Sequence, residues 1–141
     1  MTSKTLFTDD EWTTLEWAVT DTMTYVSLAE ASFWATFKEA TAAAKFMAHA
    51  KADTTSPLVH DLAGSVKLSH DSRMTHDKAQ LADEAVRRIH EAARLVAEKA
   101  PDDLDAFRAF IMGVAHATAE ASKGVGPHEK EALTRIEGAL S

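Results

Sequence analysis

Residues 102–140 read DDLDAFRAFIMGVAHATAEASKGVGPHEKEALTRIEGAL, and this stretch decides the fold. Leu104, Phe107, Ile111, Val114, Thr118 and Ala121 recur every three or four residues, the spacing of one helical face. Phe110, Ala115 and Ala117 widen that stripe, which predicts a central helix with neighbours on more than one side. Asp102 and Asp103, just after Pro101, put negative charge where a helix N-terminus stabilises it. The segment Lys123-Gly124-Val125-Gly126-Pro127 then reads as a stop and a restart. Gly124 suits the left-handed position that closes a helix, and Pro127 suits the first position of the next one. Leu133, Ile136 and Leu140 form a second apolar stripe that folds back on the first.

Upstream, the same grammar repeats. Thr8-Asp9-Asp10-Glu11 is a capping box, with Phe7 and Trp12 at the two positions of a hydrophobic staple. Trp12, Leu15, Val19, Met23 and Val26 carry the buried face of the first helix. Ser27-Leu28-Ala29-Glu30 is a second capping box, read as the junction to a second helix with core residues Phe33, Phe37, Ala40, Ala44 and Met47. Ser56-Pro57 opens a short third helix, expected to run to about Leu68. A fourth is expected from about His76 to Lys99, on the stripe Ala82, Ala85, Val86, Ile89, Ala93 and Val96. Its Glu84, Arg88, Glu91 and Arg94 read as an outer, solvated face.

The expectation is therefore an all-α, single-domain bundle of about six helices spanning residues 1–141, with two related halves as a further reading. A formal charge of −7 argues against non-specific nucleic-acid binding and against docking on an anionic membrane. No stretch approaches the roughly 20 apolar residues of a membrane span, and Asp9, Asp10 and Glu11 interrupt any secretory leader. The absence of cysteine removes disulfides, thiolate catalysis and cysteine zinc sites, and fits a cytoplasmic protein.

Several constellations carry chemistry worth weighing. A weak repeat places Val26-Ser27-x-x-Glu30 beside Val125-Gly126-x-x-Glu129, each glutamate followed by apolar residues at the same offsets. Nine residues upstream of the two glutamates lie Asp21 and Glu120. If the halves pack about a pseudo-two-fold, Asp21, Glu30, Glu120 and Glu129 could hold a divalent cation through oxygen, with His116 nearby. Capping and the helix dipole account for both glutamates equally well. Apart from that cation, no cofactor is expected. His60-Asp61, with His70-Asp71 and His76-Asp77, has the dipeptide of a metal-dependent phosphohydrolase, but no histidine precedes His49 to complete its ligands. Phe46, His60 and His90 have spacings loosely like a globin's haem-facing residues, yet His90 sits among charges on a face read as exposed. Trp17 and Trp34 flank the first two stripes, and are read either as part of the core or as a homodimer surface.

Two segments carry a family resemblance: Ala115–Ala121 followed by Gly124-Val125-Gly126-Pro127-His128-Glu129, with Leu133 and Ile136, and the opening Phe7-Thr8-x-x-Glu11-Trp12-x-x-Leu15. They resemble the closing and opening segments of TerB-like, tellurite-resistance helical domains. The resemblance implies a compact all-α bundle of two related halves in the bacterial cytoplasm, associated with stress and tellurite resistance. Some members of that family bind metal through acidic loops with an Asp-Gly pair shortly before the glutamate. This chain instead has Thr24-Tyr25 before Glu30 and Lys123-Gly124 before Glu129, so only the two glutamates carry over. The expected function is a non-enzymatic module acting by contacts with a protein partner or a second copy; divalent-metal binding is the alternative and an HD-type hydrolase the second alternative.

Overall fold

The computed structural model describes residues 3–26, 33–66, 78–121 and 127–141, with side chains over 5–26, 41–66, 80–121 and 129–141. Among these residues the chain forms α1 (Asp9–Val26), α2 (Phe33–Asp53), α3 (Pro57–Ser65), α4 (Lys78–Lys99), α5 (Leu104–Ala121) and α6 (Pro127–Leu140). Two 3-10 turns, Ser3–Leu6 and Pro101–Asp103, precede α1 and α5, and no strand occurs among the described residues. The chain is thus an all-α bundle. None of its described helices is long and apolar enough to cross a membrane.

Local chemistry sets the helix ends. The Thr8 amide donates to Glu11 Oε1 at 2.8 Å, and the Glu11 amide donates to Thr8 Oγ1 at 3.2 Å, which closes the predicted capping box. The Phe7 and Trp12 rings lie 5.9 Å apart, completing the staple. Ser56 Oγ accepts from the Val59 amide at 3.2 Å and donates to Asp103 Oδ1 at 2.8 Å, so one hydroxyl caps α3 and ties it to the approach of α5. Pro57 and Pro127 open their helices as expected. The Ser27 box and the start expected at His76 lie outside the described residues.

Two boundaries differ from expectation. Helix α3 ends at Ser65, short of Leu68, because Val66 turns to an extended backbone and its side chain is buried in the core. Pro101 to Asp103 form a 3-10 turn, so the α-helix proper begins at Leu104.

The core is one continuous cluster in which α1 and α5 are the inner helices. Helix α1 packs on α4 and α5; α2 packs on α5 and α3; α6 leans mainly on α4. Helices α2 and α6, which carry the apolar residues that follow the two glutamates of the sequence repeat, therefore have different surroundings. On α5, Phe107, Phe110, Ile111, Val114, Ala115, Thr118 and Ala119 are buried, the wide stripe predicted for a central helix. Helix α1 goes further: every residue from Ala18 to Met23 is buried, including Thr20, Asp21 and Thr22. A periodic stripe does not forecast this. The threonines tolerate it because their hydroxyls bond back into the helix, Thr22 Oγ1 donating to the Ala18 carbonyl at 2.7 Å. Thr118 does the same on α5, donating to the Val114 carbonyl at 2.8 Å.

Candidate functional site

The acidic residues proposed for a cation fall on different surfaces. Asp21, on the fourth turn of α1, is 0% exposed, and its Oδ2 accepts from Arg88 Nη1 of α4 at 2.9 Å. The guanidinium supplies the positive charge that this buried carboxylate needs. Arg88 was expected on the outer face of α4; its long side chain instead reaches inward, and only 23% of it is exposed. Glu129 is buried in the first turn of α6, where the helix dipole favours its charge. Glu120 and His116, by contrast, are exposed on the outward side of α5. Glu30 lies outside the described residues. Among the described residues, no three His, Asp or Glu side chains are grouped to hold a metal ion.

Around Asp21 the seam between α1, α4 and α6 is polar but tied together. Arg135 of α6 donates to Asp83 Oδ1 of α4 at 2.9 Å and to the Tyr25 hydroxyl of α1 at 3.2 Å. Its guanidinium carbon also lies 5.7 Å from the centre of the Tyr25 ring. The Asp83 carboxylate, and then Tyr25, hold the Arg135 pKa above its ordinary value. These groups join three helices.

His60 and Asp61 sit on α3, with Nδ1 and Oδ1 3.5 Å apart, at the outer limit of a hydrogen bond. His60 is largely exposed and Asp61 is partly buried, with its Oδ2 unpaired. The other two His-Asp pairs lie outside the described residues. His90 is exposed, as read from its charged neighbours, and its Nδ1 lies 3.1 Å from the Ala139 carbonyl at the end of α6. Trp17 is half-buried on α1, and the Trp34 side chain is outside the described set.

A different surface stands out. The outward line of α5 runs Asp105, Ala109, Met112, His116, stepping four, three and four residues, the spacing of a helix-packing seam. Ala109 is exposed, and Met112 and Gly113 are half-buried. A shallow depression lies on each side of this line. One, of about 480 Å³, is lined by Phe46, Ala50 and Val59 with Ala106, Ala109 and Phe110, and has His49 and Asp53 at its edge. The other, of about 560 Å³, lies between α5 and α6 and is lined by Arg108, Ala109, Met112, Glu137, Leu140 and Ser141. Arg108 Nε donates to the Leu140 carbonyl at 2.6 Å and fixes that wall.

Gly113 lets Phe46, which lines the first depression, come close to α5. A Cβ built there would stand 2.0 Å from Phe46 Cζ, so the Phe46 ring lies directly over the glycine backbone. That ring stacks on Phe110 with centroids 6.1 Å apart. Sequence reasoning took Phe46 for a globin-like spacing and passed over Gly113. A glycine in the interior of an otherwise strong helix was the available signal, since it costs stability unless packing uses it. Compared with known proteins, the chain matches no family model, no curated protein and no solved structure.

Proposed function

We propose that this chain is a non-enzymatic, TerB-like helical module of the bacterial cytoplasm that works through protein contacts, serving a stress or tellurite response. The observation that supports it is the outward face of α5, where exposed Ala109 and half-buried Met112 lie between the polar positions Asp105, His116 and Glu120. Soluble helices ordinarily present polar residues on that side, and a small apolar break among them gives a partner helix a place to approach closely. The net charge of −7 turns the reading towards protein rather than nucleic acid or anionic lipid.

The test is a photo-reactive amino acid at position 109, with the same group at Glu91 on α4 as control. Covalent protein adducts at 109 and none at 91 are expected. Absence of adducts at 109, or equal labelling at both positions, overturns the contact surface.

A second reading, a divalent-metal module, rests on the sequence repeat that sets Asp21 and Glu30 beside Glu120 and Glu129. A ligand that binds only the native state raises its melting temperature. Under this reading divalent ions raise Tm, and E30Q and E129Q abolish the rise. A rise that survives both substitutions removes the acidic quartet.

A further inference from the structure

We infer that the partner of the α5 face is a second copy of this chain, docked antiparallel along α5 about a two-fold axis between Ala109 and Met112. The inference rests on the contact reading above and names its occupant. In that register Ala109 of each copy meets Met112 of the other, a small side chain against a long flexible one. Asp105 of each copy then meets His116 of the other. The Asp105 side chain is 99% exposed and makes only a loose contact with Arg108, 3.6 Å away. His116 is exposed at the opposite end of the same line.

An imidazole N–H facing a carboxylate is a complementary pair at both ends of the line, as a two-fold interface requires. The reverse, parallel arrangement sets Asp105 against Asp105 and Ala109 against Ala109, which is repulsive at one place and leaves a gap at the other. The two depressions flanking Ala109 leave room on both sides of the seam for the partner helix to settle. Each copy carries a charge of −7, so at long range the copies repel. At physiological ionic strength charges farther apart than about 8 Å are screened, while paired contacts persist.

Sedimentation of the full chain across a concentration series, with native mass spectrometry, reads the association directly. The expected result is a monomer–dimer equilibrium that A109E weakens by about tenfold or more, because a charge then lies at the centre of the interface. M112K on the same seam should act alike, and circular dichroism confirms that each variant is folded. D105H and H116D should each weaken the dimer, and D105H/H116D should restore it, because the pair is re-formed with its members exchanged. A dimer indifferent to A109E and M112K, or one not restored by the double exchange, overturns this geometry. A chain that is monomeric throughout, yet gives adducts of another protein's mass from position 109, overturns the second copy and leaves the contact reading standing. A monomer without adducts at 109 overturns both.

Discussion

Helices α4 and α5 have similar lengths and both bury a full apolar stripe, but their outer faces differ in breadth and charge. On α4 the exposed positions are Gln80, Asp83, Arg87, His90, Glu91, Arg94, Ala97 and Glu98, mostly charged, with half-buried Glu84, Val86, Arg88, Leu95 and Lys99 beside them. On α5 they are Asp105, Ala109, His116 and Glu120, with half-buried Ala106, Arg108, Met112 and Ala117 beside them. One helix is finished as a solvated surface. The other has a narrower exposed side, with Ala109 at its middle and half-buried Ala106, Met112 and Ala117 along its flanks. Burial within the bundle explains the inner faces of both helices, so only the outer faces distinguish a wall from a place of contact.

The comparison breaks most sharply at Arg88, an α4 cation whose side chain turns inward. R88A leaves Asp21 buried and without its guanidinium partner, and is expected to destabilise the fold by about 3 kcal/mol in denaturant titration. Replacing both partners, as D21N/R88M, should recover much of that loss. A cost of R88A no larger than that of R94A, an exposed neighbour, would return Arg88 to the solvated face.

On α5 the next largest effect is expected at Gly113. G113A drives a methyl group into the Phe46 ring and should cost about 1–3 kcal/mol, less than 1 kcal/mol of it offset by helix propensity. With F46A already in place, the same change should become neutral or slightly stabilising. A cost that persists without the ring would place the strain elsewhere.

A smaller, pH-dependent effect belongs to the far end of α4, where Lys99 pairs with Glu11 of α1. The Lys99 ammonium, and then the Thr8 amide, hold the Glu11 pKa below its ordinary value. A carboxylate so lowered contributes stability above the ordinary carboxylate range, and that contribution is lost as pH falls through the lowered pKa. E11Q and K99M should therefore lower stability at neutral pH and flatten its fall in acid, as denaturation at pH 7 and pH 3 would show.

The smallest effect on stability is expected where the two outer faces are compared directly. A109E and E91A should each change it by no more than about 0.5 kcal/mol, as exposed substitutions generally do. Only A109E should change association. Equal behaviour of the two in sedimentation would erase the distinction between the helices.

Much of the architecture was legible in the chain because its determinants are local. The Thr8 and Glu11 box, the Ser56 cap, Pro57, Pro127 and the stripe of α5 each depend on residues within a turn or two of one another. The candidate site was less legible. Its acids were placed together on the strength of a repeat, whereas Asp21 and Glu129 turn inward and Glu120 and His116 turn outward. Spacing reports which residues share a face of one helix and says nothing of what that face meets.

The sequence by itself thus determined an all-helical chain, the helix ends set by capping residues and prolines, and which residues of each helix share a face. Tertiary structure alone decided that α1 is buried all round from Ala18 to Met23, that Arg88 turns in to Asp21, and that Phe46 lies over Gly113. The physical reason is range. Capping and periodicity act between near neighbours in the chain, while these burials and pairings join residues tens of positions apart, which meet only once the helices have packed.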